Sequence, residues 1–182
     1  MIIDIDKIYR KYYNDNQQLL ATVLIHSEAV ARKALSCLRE KNLPVDADFI
    51  YSAAMLHDIG VVKCNAPSIY CYGNAPYICH GIIGKSMLES EGLPRHALIC
   101  ERHTGAGLSR EDIEKQKLPL PHKDMCPLTI EEKLICYADK FFSKSGELEK
   151  EKDIEKIINQ MAAHGEKNVE RFMEYHLMFG SH

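Results

Sequence analysis

Apolar residues recur at helical spacing along nearly the whole chain. Over 16–40 they fall at Leu19, Val23, Val30, Ala34 and Leu38, one face of a helix. Pro44 closes that unit. Asp46 to Asp58 reads as a second helix, with Gly60 as its stop signal. Segment 61–76 holds Pro67, Gly73 and Pro76 and reads as a loop. A third helix is predicted from Tyr77 to Glu91, ended by Gly92, and a short fourth from Pro94 to His103. Residues 104–128 are polar and proline-containing, with a small helical insert starting at Ser109. Thr129-Ile130-Glu131-Glu132 fits a capping box and opens a fifth helix to about Phe142. Residues 143–149 form a turn, and a last, charged helix covers 150–178. No internal repeat and no useful alternating strand pattern is present. The expected fold is all-α, one domain over 1–182 with its motif-bearing core at 19–143. The C-terminal helix, 150–179, should pack on that core through Ile154, Ile157, Ile158, Met161, Phe172 and Met173, because some thirty residues cannot bury a core alone. A homodimer contact through this helix stays open.

Composition narrows the partners. The chain has 182 residues, 46% hydrophobic and 27% charged, with a formal net charge of −3. It has no basic run, which argues against nucleic acid as the main partner. It has no apolar stretch of membrane-span length and no signal-peptide pattern, so a cytoplasmic protein without a membrane partner is expected. The seven cysteines, at 37, 64, 71, 79, 100, 126 and 136, include no Cys-x-x-Cys pair and read as reduced core residues. Cys64, Cys71 and Cys79 cluster in one segment, but their spacing fits no usual zinc pattern.

Six polar residues interrupt the apolar faces. His26 lies on the stripe Leu19, Val23, Val30. His57 follows Ala53 and Ala54, and Asp58 follows it directly. His80 shares a face with Tyr77, Ile83, Gly84 and Met87. His103 is one turn after Ile99, and Asp139 lies between Ile135 and Phe142. Taken singly, a histidine on an apolar face is more often a hydrogen-bonded core residue than a ligand, and a buried Asp usually caps or pairs. Five helices each turning such a group inward are harder to ascribe to coincidence. Buried imidazoles and carboxylates are costly unless satisfied, and a pair of metal ions would satisfy all six. His57 and Asp58 are about 100° apart on a helix, but they converge if the helix ends there, as Gly60 suggests.

The order His26, His57-Asp58, Asp139 resembles the HD superfamily of metal-dependent phosphohydrolases, and His57-Asp58-Ile59-Gly60 its HDIG variant. His80 and His103 fall where the dinuclear branch places two further histidines. The segment Glu101-Arg102-His103-Thr104-Gly105-Ala106-Gly107, with Glu132-Lys133 and Tyr137-Ala138-Asp139-Lys140, is similar to a small group of stand-alone HDIG proteins of prokaryotes. The resemblance runs from His26 to Phe142. It implies a single-domain HD-type helical bundle with the metal site between helices and His26, His57, Asp58, His80, His103 and Asp139 as metal ligands. It suggests iron or manganese, while the ligand types also suit zinc, nickel, cobalt or magnesium.

Two such ions, about 3.5–4 Å apart, can share a bridging hydroxide and clamp a phosphoryl oxygen. The expected reaction is hydrolysis of a phosphoester or phosphoanhydride bond in a small phosphorylated substrate, a nucleotide by preference. His57 and Asp58 would sit at the chemistry. Lys63, Arg102 and Lys140 are candidate cations, Lys63 for catalysis and the other two for substrate binding; each also reads as a solvated or ion-paired surface residue. Tyr70, Tyr72 and Tyr77 precede His80 and could stack a base or lid the site, or serve as packing groups. Three alternatives remain. A di-iron oxygenase would use the same six ligands. A cyclic-dinucleotide phosphodiesterase would be expected to carry a Gly-Tyr-Pro tripeptide, which this sequence lacks. A non-catalytic binding module would be expected to have lost a ligand.

Overall fold

A computed structural model describes residues 3–180. Its first helix, α1 (Ile5–Tyr13), lies ahead of every element expected from the sequence. Asp4 caps it, its side chain accepting from Lys7 N at 2.9 Å. It buries Ile8, Tyr9 and Tyr13. The long α2 (Gln17–Glu40) follows under an Asn16 cap, and α3 (Ala47–Leu56) under an Asp46 cap.

After α3 the chain leaves the helix earlier than expected, with His57 as its C-cap. A 3₁₀ turn, Ile59–Lys63, then buries Ile59, Gly60 and Val61. The expected loop 61–76 is more ordered than its prolines suggest. It contains a two-residue antiparallel hairpin, β1 (Asn65–Ala66) and β2 (Cys71–Tyr72), in register Asn65 with Tyr72. Tyr77–Cys79 is a 3₁₀ turn that leads into α4 (His80–Ser90), and α5 (Pro94–Arg102) follows. The insert after Ser109 is α6 (Arg110–Lys115), with a complete capping box between Ser109 and Asp112.

At α7 (Ile130–Asp139) only half of the expected capping box forms. Thr129 Oγ1 accepts from Glu132 N at 3.3 Å. The Glu132 carboxylate accepts instead from Leu128 N at 2.7 Å and from Arg102 Nη1 at 2.9 Å. The single C-terminal helix expected from the sequence is two, α8 (Ile154–Ala162) and α9 (Glu166–Phe179). The break comes at Gly165, whose φ of +110° suits glycine alone. No helix among the described residues is long and apolar enough to cross a membrane.

The apolar side chains gather mainly into two clusters, and α2 serves both. Its N-terminal half gives Leu19 and Val23 to a cluster with α1, α4 and the 59–71 segment. Its C-terminal half gives Val30 and Ala34 to a cluster with α3, α7, α8 and α9. His26 falls between these halves. α3 and α5 also contribute to both clusters, through Ala54 and Leu56 and through Ile99 and Cys100. The polar group therefore lies at the seam of two apolar masses that hold its walls.

Candidate metal centre

The structure brings His26, His57, Asp58, His80, His103 and Asp139 together, all buried. They form two groups that could each hold a metal ion: His26, His57, Asp58 and Asp139, and Asp58, His80 and His103. Asp58 belongs to both. Its Oδ2 lies 3.0 Å from His57 Nε2 and 3.3 Å from His26 Nε2. Its Oδ1 lies 3.5 Å from His80 Nε2 and 3.4 Å from His103 Nε2. Asp139 Oδ1 closes the first group, 2.9 Å from His26 Nε2.

Backbone geometry fixes the rings. His57 Nδ1 donates to Ala54 O at 2.6 Å, His80 Nδ1 to Tyr77 O at 2.7 Å, and His103 Nδ1 to Cys100 O at 2.8 Å. A carbonyl can only accept, so the proton of each neutral ring sits on Nδ1 and the Nε2 lone pair points inward. His80 and His103 Nε2 then face each other at 3.0 Å as two acceptors. A shared cation resolves that conflict, whereas a hydrogen bond between two neutral rings of this tautomer does not. His57 Nε2 and both Asp58 oxygens are likewise buried without a hydrogen bond. The donor set fits a transition-metal centre.

The charges agree. Burial works against ionised Asp58 and Asp139, yet His57 and Lys144 hold Asp58, and Lys140 and Lys144 hold Asp139, well below the usual carboxylate range. Burial lowers His57, but Asp58 and Asp139 outweigh it and push it up to about 9, so without a cation Nε2 carries a second proton toward Asp58, the place a metal ion would take. Burial and the neighbouring His103 push His80 down to about 3. The Asp139 side of the centre attracts positive charge, and the His80 side keeps its lone pairs free.

Elements outside the six keep the His57–Gly60 turn in place. Tyr9 Oη donates to Met55 O at 2.6 Å, and Tyr13 Oη to Ile59 O at 3.1 Å. Both come from α1. Gly60 matters for space rather than as a helix stop, because the α4 backbone at His80 and Gly84 lies against it.

The other sequence candidates divide. Lys140 reaches the centre, with its Nζ 2.6 Å from Asp139 Oδ2 and 3.1 Å from His103 O. Arg102 is tied to both oxygens of buried Glu132. Lys63 is exposed and lines a surface cleft with Tyr12, Asn16, Tyr72 and Asn74, apart from the six. Tyr70 and Tyr72 are exposed. Tyr77 lies nearer, its ring centroid 4.9 Å from that of His80. One residue escaped the sequence reading. Lys144, in the turn after α7, places Nζ 2.6 Å from Asp58 Oδ2. The seven cysteines are free thiols, and none joins a metal-type group among the described residues. Cys64 and Cys71 point at backbone carbonyls, and burial pushes Cys64 up to about 12.

An uncharacterized protein of Methanocaldococcus jannaschii is 35% identical over 121 residues, covering 64% of this chain and 64% of that protein. The tRNA (cytidine(56)-2'-O)-methyltransferase of Picrophilus torridus is 36% identical over 143 residues, 73% of this chain but 38% of that protein. The protein of the same name from Thermoplasma volcanium is 29% identical over 153 residues, 83% of this chain and 40% of that protein. The chain thus spans well under half of either methyltransferase and about two thirds of the Methanocaldococcus protein. No solved structure matches it. The family model for the HD domain matches residues 23–144, a span that begins just before His26 and ends just after Asp139. With that match over two thirds of its length, and with a His/Asp cluster that could hold metal inside it, this chain belongs to the HD-domain family.

Proposed function

We propose that this protein is a dinuclear metal-dependent phosphohydrolase acting on a small phosphorylated substrate, a nucleotide by preference. The observation that carries the reading is Asp58, whose two oxygens face two separate sets of imidazoles. A carboxylate placed so is suited to join two ions. Divalent ions there, iron or manganese by preference, would supply Lewis acidity at a phosphoryl oxygen and acidify a bound water. His26, His57 and Asp139 would hold one ion, and His80 and His103 the other, with Asp58 between.

The chain's own contribution is positioning and exclusion of bulk water. Three carbonyl-anchored rings keep their nitrogens aimed without reorganisation. Side-chain exposure rises from 0% at Asp58 to 10% at Lys140 and 14% at Lys144, so the two lysines stand on the less buried side of the group. Phosphate arriving from that side meets positive charge first.

The methyltransferase names describe longer proteins, and this chain matches less than half of each. Methyl transfer is therefore not carried over. Their action on tRNA belongs to that same activity and is not carried over either.

The test is metal content of protein purified without chelator, beside phosphate release from a nucleotide panel with Mn²⁺ or Fe²⁺, with and without oxygen. Near two metals per chain and oxygen-independent release support the proposal. Two irons with oxygen uptake and no release would replace it with the oxygenase.

A further inference from the structure

Lys144 enters the centre from an irregular turn, outside every helix. Among the described residues its one carboxylate oxygen within ion-pair distance is Asp58 Oδ2, at 2.6 Å. Asp58, Tyr77 and Asp139 are its main electrostatic neighbours. Lys140 differs, because it is held by the charge of Asp139 Oδ2 and by the His103 carbonyl, whereas the second partner of Lys144 is the neutral hydroxyl of Tyr77. The oxygen that Lys144 contacts is the same one that faces His26 and His57. An ion held by that group needs this oxygen, and two cations on one oxygen repel strongly where water is scarce. Lys144, shifted from that oxygen, would keep the Tyr77 hydroxyl beside it and be open to another anion within reach of its turn. The anion that the reaction brings is the phosphoryl group.

Charge also bears on which phosphate fits. Asp58 and Asp139 are matched by Lys140 and Lys144, so the charge of any bound ions is left over for the substrate. A terminal phosphate carries nearly two negative charges at neutral pH, because its second pKa is about 6. An internal phosphodiester carries one. A site with surplus positive charge favours the former.

We propose that Lys144 is a substrate-binding residue that grips a non-bridging phosphoryl oxygen and selects terminal phosphates over phosphodiesters; this rests on the hydrolase reading above. In the favoured reaction a water oxygen bonds to phosphorus and the ester P–O bond breaks. One water proton ends on the leaving alcohol and the other on phosphate. Lys144 keeps its proton and its oxygen partner throughout.

The experiment uses the full chain loaded with Mn²⁺, as wild type, Lys144→Met and Lys144→Arg. Inorganic phosphate is titrated calorimetrically, metal per chain is measured, and p-nitrophenyl phosphate is compared with its bis-ester. Lys144→Met should keep wild-type metal content and bind phosphate about 10- to 100-fold more weakly, the worth of one charge-assisted hydrogen bond. Its monoester-to-diester ratio of kcat/KM should fall at least about tenfold by the same reasoning, and Lys144→Arg should largely restore both. Unchanged phosphate affinity in metal-loaded Lys144→Met would overturn the proposal. So would loss of metal from that variant, which would make Lys144 a support of the metal site. Lys144→Gln carries the same comparison if the Met variant does not fold. If the wild type binds phosphate but cleaves neither ester, the hydrolase reading fails, and the phosphate affinities still judge Lys144.

Discussion

Gly60→Ala should break the protein where the motif meets the packing. A Cβ at Gly60 would stand 2.1 Å from His80 O, 2.4 Å from Gly84 N and 2.9 Å from Gly84 Cα. All three are backbone atoms, so no side chain can rotate away. Either α4 or the 59–63 turn must move. Overpacking typically costs 1–3 kcal/mol, and backbone overlap at three atoms puts this case at about 3 kcal/mol or above. For a chain of this size that lowers Tm by about 6–12 °C. The site should suffer as well, because the turn carries Asp58 and α4 begins at His80. Widening the 3.5 Å approach of Asp58 Oδ1 to His80 Nε2 weakens the Asp58, His80, His103 group first. The assay is thermal melting of chelator-treated protein, followed by metal content after reconstitution. Gly92→Ala is the control, since its φ of +72° is strained for alanine but nothing lies within 4 Å of an added Cβ. A Gly60→Ala protein that melts with the wild type, or takes up full metal, would refute the reasoning.

Three further outcomes follow from the same geometry. Asp58→Ala should remove metal-dependent hydrolysis while far-ultraviolet circular dichroism stays close to wild type; retained activity would remove Asp58 from the centre. Arg102→Met should cost about 2–3 kcal/mol, because it removes the charge partner of buried Glu132 and leaves it only the Leu128 N–H, yet leave KM nearly unchanged. A raised KM at full stability would put Arg102 on the substrate instead. His96 is buried beside Arg95, and burial with that charge pushes it down to about 4. Its unfolded pKa is about 6.5, so the unfolded chain binds the proton first as pH falls. The stability linked to neutral His96 is full above about pH 6.5 and is lost toward pH 4. His96→Gln should therefore flatten the wild-type decline in that window by up to about 3 kcal/mol, measured by urea unfolding. Parallel curves for the two proteins would dismiss His96.

The six residues that the structure brings together were legible because each is a polar break in an apolar pattern, within a helix at His26, His80 and Asp139 and at a helix end at His57, Asp58 and His103. The residues around them were not. Lys144 lies in a turn, where no period tells which way a side chain points. Lys63 was misplaced for a related reason. Counting from His57 puts it near the motif, but the chain becomes a 3₁₀ turn that buries Ile59 and Val61 and leaves Lys63 outside. Arg102 and Glu132 are remote in sequence, so nothing local showed that they satisfy each other. The first helix was readable in principle, since Ile5, Ile8, Tyr9 and Tyr13 share a face behind the Asp4 cap. The α8–α9 break was signalled only by one glycine within a long amphipathic stretch.

The C-terminal helix shows why family span and functional unit differ. The family match ends at residue 144, before α8 and α9 begin. Yet α9 holds the turn that follows His103. Asn168 Oδ1 accepts from Ala106 N at 2.8 Å, Arg171 donates to Gly107 O at 2.9 Å, and Tyr175 Oη donates to Ala106 O at 3.2 Å. Phe172 and Phe179 bury the same helix against Tyr137, two residues before Asp139. The segments that carry His103 and Asp139 are thus both packed against one helix outside the matched span. Residues in contact commonly couple, so a Phe172→Ala change in α9 should lower metal uptake as well as stability; full metal uptake in a destabilised variant would separate the two.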